Sequence, residues 1–198
     1  MSKTLIIIAG LVLIIIAIVF YFSQHSPNPD TTLKLTPTAS VKLIPTASVD
    51  LNMKIISSAF ENNGEIPSKY TCDSENISPP LEVQGVPPEA KSLALIVDDP
   101  DAPAGTWTHW LLWNINPKIS LIEENTIPQG AVEGINSFGN KSYGGPCPPS
   151  GSHRYIFKLY ALDSILNLEE GAQKGDLEQT IMGHILAEAQ LIGNYQRK

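Results

Sequence analysis

From Leu51 onward apolar and polar residues alternate with a period of two, interrupted by frequent Gly and Pro, which is the pattern of strands that bury one face. The alternation predicts strands near 53–60, 81–84, 92–98, 108–116, 130–133 and 154–163. Successive side chains of a strand point to opposite faces, so His109, Leu111, Trp113 and Ile115 are expected on one face, with Trp110 turned the other way. In the same manner His153, Tyr155, Phe157, Leu159 and Ala161 share a face. Each of these faces is apolar except where its strand opens. The polar groups of His109, His153 and Tyr155 should then surface together at one end of a core, as the floor of a pocket. Gly175–Met182 reads as a short helix with Asp176 as N-cap and Gly183 just past its end. Beyond it, helical spacing through Leu191 competes with alternation at Ile185, Ala187, Ala189, Leu191 and Tyr195.

The first 50 residues are patterned differently. Leu5–Phe22 is an unbroken, uncharged apolar run of 18 residues, long enough to cross a hydrocarbon core as a helix. A cleaved signal peptide is the competing reading, but the run exceeds the usual core of about 7–15 residues, and Ser23-Gln24-His25 offers no small-x-small cleavage pattern. Residues 1–22 are therefore expected to be a single-pass membrane anchor, with Lys3 on the cytoplasmic side and the carboxy-terminal domain outside the cytoplasm. Residues 23–50 are rich in Pro, Thr, Ser and Ala, and Pro37-Thr38-Ala39-Ser40-Val41 recurs as Pro45-Thr46-Ala47-Ser48-Val49. Such a segment cannot bury enough apolar surface to offset its ordering entropy, so a disordered linker is expected there.

Residues 51–198 remain as one folded domain, of ample length for a single core. The chain carries a formal charge of −7; setting aside Lys3, Lys34, Lys42, Asp30 and Asp50 leaves 10 basic and 18 acidic residues in the domain, a net −8. An acidic domain without a basic stripe argues against nucleic acid as a partner and against docking on anionic lipid. The two cysteines, Cys72 and Cys147, both fall in this domain. Either they form a disulfide closing a loop of about 75 residues or they are two unpaired buried thiols, and spacing alone leaves both readings open.

Two stretches concentrate the candidate chemistry. Asp99-Pro100-Asp101-Ala102-Pro103 runs on to His109, and Gly144-Gly145-Pro146-Cys147-Pro148-Pro149 runs on to His153-Arg154-Tyr155. Each is a proline-stiffened loop ending in a histidine that opens a strand, so its groups are held in place before any ligand arrives. With Asn76-Ile77-Ser78-Pro79-Pro80 upstream, and in this order, they resemble the phosphatidylethanolamine-binding protein family, most closely its bacterial and archaeal Raf-kinase-inhibitor-like branch. The resemblance spans roughly Met53 to Arg197.

It implies an all-β fold, an antiparallel Greek-key β-sandwich with a few short helices, a small anion-accepting pocket at one end, and a final strand across 185–195. Matched by motif position, the ligand-binding residues are Asp99, His109, one of Pro148 and Pro149, His153 and Tyr155. Two imidazoles and a phenol suit a phosphate monoester or similar anion as hydrogen-bond donors, and Gly144 and Gly145 allow close backbone approach. A carboxylate beside a phosphate costs Coulomb energy, so Asp99 is expected to orient a histidine by accepting its hydrogen bond, or to read an ammonium or hydroxyl on the ligand. Asp101 is expected to hold the loop by bonding nearby backbone N–H groups, and Arg154, on the opposite face from His153, to form a structural ion pair. The larger eukaryotic relatives continue into a helix bordering the pocket; this chain stops at Lys198 without it, so the resemblance lends no support to functions that depend on that helix, the kinase-inhibitor role included.

The combined expectation is a membrane-tethered, non-catalytic binding protein for a small phosphorylated ligand such as a phosphate monoester or phospholipid head group. No catalytic residue, metal or cofactor is assigned. Peptidase inhibition through the loop Pro146–Gly151 is the alternative. A metal-dependent enzyme ranks below it: two histidines and an aspartate can form a facial site, but no His-x-x-x-His pair or Gly-x-Ser-x-Gly elbow accompanies them.

Overall fold

The computed structural model describes residues 53–198. The expected anchor at 1–22 and linker at 23–50 lie outside the described residues, among which no helix is long and apolar enough to cross a membrane. Among the described residues, nine strands form two sheets. β1 (Lys54–Ile56), β3 (Leu81–Gln84) and β6 (Leu121–Ile122) make a three-stranded sheet in the order β1-β3-β6. The larger sheet runs β2-β9-β8-β4-β5-β7, from β2 (Gly64–Glu65), β9 (Ile185–Gln196), β8 (Ser152–Leu162), β4 (Ser92–Asp99), β5 (Trp107–Ile115) and β7 (Val132–Glu133). Pairing is antiparallel throughout except for the edge pair β2–β9, which is parallel.

Burial explains the two layers. Ile55, Leu81, Val83 and Ile122 of the small sheet pack against Leu95, Val97, Leu112, Phe157, Leu159 and Leu191 of the large one. The outer face of the large sheet presents Ala94, Ile96, Leu111 and Trp113 to Leu177 and Ile181 of the α-helix α1 (Lys174–Ile181). Central strand β4 is therefore buried on both faces, which is why its apolar residues run without a break where a one-sided strand would alternate. The competing patterns after residue 184 resolve as strand: β9 pairs with β8 along its whole length.

The helix begins one residue earlier than its pattern suggests, and its cap is not Asp176. Gln173 is the N-cap, and Asp176 is the third helical residue, its carboxylate accepting the Gln173 N–H at 3.1 Å in a capping box. Asp176 supplies the far half of a reciprocal cap, which composition alone does not distinguish from a cap. Gly183 does follow the helix with φ +82°.

Leu111 and Trp113 share a face opposite Trp110, as expected, but two irregularities in β5 take His109 and Ile115 off that face. Val97 pairs with Trp110 but Asp98 pairs with Thr108, leaving His109 as the extra residue of a bulge. Trp110 and Leu112 point into the inter-sheet core, while Leu111 and Trp113 pack toward the helix. A second slip between Leu93↔Ile115 and Leu95↔Leu112, with Asn114 at φ 56°, returns Ile115 to the inter-sheet side. A bulge adds one residue to a period of two and so exchanges the faces of everything beyond it.

Candidate functional site

Three strands end together and position the site. Asp99 closes β4, Trp107 and His109 open β5, and His153 and Tyr155 open β8, which is hydrogen-bonded to β4. The side chains of Asp99, Trp107, His109 and His153 surround a cavity of about 330 Å³, whose wall also includes Phe138 and Pro149. Ala102 and Pro103 of the Asp99-Pro100-Asp101 loop complete it from one side and Cys147 from another.

The polar floor is tightly wired. His153 Nδ1 donates to Asp99 Oδ2 at 2.7 Å, and Asp99 Oδ1 accepts the Asp101 N–H at 2.8 Å, so the carboxylate is held at both oxygens. Asp101 turns outward. Its carboxylate takes the Arg154 N–H at 3.0 Å and the guanidinium at 2.7 and 2.9 Å, which holds its pKa down at about 2. The expected turn interaction thus belongs to Asp99, whose side chain bonds the backbone two residues on, while Asp101 receives the cation that lies on the far face of β8.

His109 is anchored to the second loop. Its Nδ1 donates to Gly144 O at 2.5 Å, and Gly144 N–H donates back to His109 O at 2.9 Å. A carbonyl only accepts, so the proton is on Nδ1 and Nε2 is left as the ring's remaining polar atom. Burial lowers the His109 pKa, so the ring is held neutral. Gly144 is required at this spot because a Cβ there would meet the Phe138 ring at 2.6 Å, and Gly145 because a Cβ would meet Tyr70 O at 2.5 Å. Phe138 lies edge-on to both His109 and Trp107, at ring separations of 5.5 and 5.4 Å, and forms a half-exposed shoulder at the mouth.

Not every expected residue lines the cavity. Pro149 does; Pro148 is buried behind it. Tyr155 lies beneath the floor, 1% exposed and edge-on to His109 at 5.1 Å. Its hydroxyl and Trp107 Nε1 are buried without a hydrogen-bond partner. Asp99 and the Cys147 amide face that phenol without reaching bonding geometry, and burial pushes its pKa upward. Trp110 and Trp113 are core residues, whereas Trp107 belongs to the wall. His184 pairs with Asp163 at 2.8 Å on the surface, far along β8 from the site.

Phe138 and the Gly144 carbonyl were not legible as site components. Phe138 sits in a turn organised by Asn136, whose Oδ1 accepts the Phe138 and Asn140 N–H groups, and no periodicity marks such a position. No Lys or Arg lines the cavity, and among the described residues no cluster of three or more His, Cys, Asp or Glu is placed to hold a metal ion.

A family model described as phosphatidylethanolamine-binding protein matches residues 56–196. This chain belongs to the phosphatidylethanolamine-binding protein family. A UPF0098 protein of Methanothermobacter thermautotrophicus is 57% identical over 150 residues, covering 73% of this chain and 99% of its own length. A UPF0098 protein of Pyrococcus horikoshii is 49% identical over 152 residues, covering 72% of this chain and 76% of its own. Among solved structures, the phosphatidylethanolamine-binding protein homologue CT736 of Chlamydia trachomatis superimposes with a TM-score of 0.71 at 45% identity, over 74% of this chain and 98% of that one. YbcL of E. coli, described as a new member of the mammalian family, gives 0.70 at 29% identity over 74% and 99%. As a family member the protein is a ligand-binding protein of the phosphatidylethanolamine-binding type.

Proposed function

We propose that this phosphatidylethanolamine-binding protein family member is a non-catalytic, membrane-tethered receptor whose cavity takes a small phosphorylated ligand, a phosphate monoester or a phospholipid head group. The observation that carries the reading is the common wiring of the two histidines. Each has Nδ1 committed to an acceptor, Asp99 for His153 and Gly144 O for His109, so each retains Nε2 as its one uncommitted polar atom. No Lys or Arg lines the wall, so an anion would be met by the imidazole Nε2 atoms, and the neutral His109 ring, with its proton on Nδ1, offers Nε2 as an acceptor for the P–OH of a singly protonated phosphate.

The apolar run Leu5–Phe22 supports a single-pass anchor with the domain outside the cytoplasm. Calorimetric titration of the full chain with inorganic phosphate, phosphoethanolamine and Zn²⁺ tests the reading. Both phosphate compounds bind and His153→Ala removes the binding; tight zinc binding without phosphate binding would replace it with the metal alternative. Peptidase inhibition is supported by the exposure of Pro149, Ser150 and Gly151, and would survive His153→Ala.

A further inference from the structure

Cys72 and Cys147 are joined, with Cα atoms 5.4 Å apart, and Cys147 is part of the cavity wall. The wall loop divides into two parts by how it is held. Tyr143 to Pro146 is bonded at every step: Tyr143 OH to Tyr70 O at 2.9 Å, Gly144 to His109, Gly145 N–H to Asn76 Oδ1 at 2.7 Å, and Pro146 O to the Cys72 N–H at 3.1 Å. Among the described residues, Cys147 to Gly151 forms no hydrogen bond until β8 begins at Ser152. Its attachments are the disulfide and the burial of Pro148. Gly151, at φ +71° with open space around it, provides a joint at the far end.

We infer that the Cys72–Cys147 bond is a redox latch on the ligand cavity: oxidised, it presses Cys147 and Pro149 against the pocket; reduced, it frees residues 147–151 and weakens binding. The chemistry requires a dithiol reductant. Cys147 is exposed and Cys72 only partly so, which directs the attacking thiolate to the Cys147 sulfur. A mixed disulfide forms there and the S–S bond breaks, with Cys72 leaving as thiolate. The second thiol of the reductant then displaces Cys147, the reductant closes to its own disulfide, and its two protons end on Cys72 and Cys147.

The geometry restricts the effect to the wall. The Asp99–His153 bond does not involve this loop, and the four ties from Tyr143 to Pro146 survive reduction. Reduction should also alter the surroundings of Tyr155, because the Cys147 amide faces its phenol. A second cavity of about 300 Å³ shares Cys147 and Phe138 with the first, so the freed segment has space to move away from the histidines.

The test has two arms on the full chain. In the first, which rests on the anion-pocket reading, inorganic phosphate is titrated before and after dithiothreitol. Affinity falls about tenfold on reduction, as expected if the closed wall is then populated about one-tenth of the time, and returns on reoxidation. The double substitution Cys72→Ser and Cys147→Ser stays at the weak value whether or not reductant is present, with circular dichroism confirming that it is folded. The second arm needs no ligand: backbone ¹⁵N relaxation of Ser150 and Gly151 gives order parameters of about 0.85 when oxidised and below about 0.6 when reduced. Order parameters unchanged by reduction overturn the latch. A relaxation change without any phosphate binding in either state leaves the latch standing and removes the anion-pocket reading. Phosphate affinity equal within twofold in both states overturns the link between latch and ligand.

Discussion

Asp99 Oδ2 and His153 Nδ1, 54 residues apart in the chain, meet at 2.7 Å with both side chains less than a tenth exposed. The contact exists because β4 and β8 are adjacent antiparallel strands, so the end of one lies beside the beginning of the other. A buried carboxylate must be bonded, and this one is bonded at both oxygens, which makes its orientation a consequence of the fold.

Replacing Asp99 by Asn keeps an oxygen for the Asp101 N–H but removes the charge facing His153. Phosphate affinity is expected to fall at least about tenfold, with the circular dichroism spectrum unchanged. Calorimetric titration of the full chain checks this, and an affinity equal to that of the parent would remove Asp99 from the site. His153→Ala goes further by stranding the buried carboxylate, and should lower stability by about 2–3 kcal/mol in urea unfolding.

His109 sets a pH dependence of stability. Its ring takes up a proton less readily in the folded domain than the ordinary value of 6.5, because burial disfavours the charged form. Below about pH 6.5 the unfolded chain therefore binds more protons than the folded one, so stability is full above that pH and declines as pH falls toward the folded value. Urea midpoints measured between pH 8 and pH 5 should decline less steeply in His109→Gln than in the parent. Parallel declines would contradict the assignment.

The two glycines behind the cavity should respond unequally. At Gly145 an added methyl group meets backbone, Tyr70 O at 2.5 Å and Thr71 Cα at 2.9 Å, neither of which can rotate away. Gly145→Ala is expected to cost about 2–3 kcal/mol. At Gly144 the obstacle is the edge of the Phe138 ring, which is half-exposed and can swing outward. Gly144→Ala should therefore cost less, about 1 kcal/mol, and change ligand binding more than stability. Denaturation midpoints of the two variants decide the order.

Asp98 provides a control on the other face of β4. It is bonded to Lys158 at 3.0 Å, Lys174 at 2.7 Å and Thr108 Oγ1 at 3.2 Å, tying α1 to the sheet. Asp98→Asn is expected to speed amide exchange across Lys174–Ile181 and to destabilise by about 1–3 kcal/mol, since the two ammonium groups can turn to water. Phosphate affinity should remain within twofold, because adjacent residues of a strand serve opposite faces.

The alternation of His153, Tyr155, Phe157, Leu159 and Ala161 needed no structure to be read, and neither did the proline-stiffened loops or the strand content, while Asp99, His109 and His153 as pocket groups followed from the resemblance of those loops to the family. Regular β-structure writes itself into the chain at a period of two, and a motif of prolines and glycines constrains its own backbone, so both are local properties. What the chain could not show is where that period breaks. The bulge at His109 is set by pairing with β4, and it takes His109 off the face that Leu111 and Trp113 share, bringing its ring against Tyr155.

The remaining decisions were also made by contacts across long stretches of sequence. Tertiary packing chose Pro149 over Pro148 for the wall, put Tyr155 beneath the floor, brought Phe138 to the mouth and joined Cys72 to Cys147 across 75 residues. Local patterning determines which segments become strands and which loops are stiff, because those depend on neighbouring φ and ψ. Which atoms meet at 2.7 Å depends on how whole sheets register, and that is decided only when the core closes.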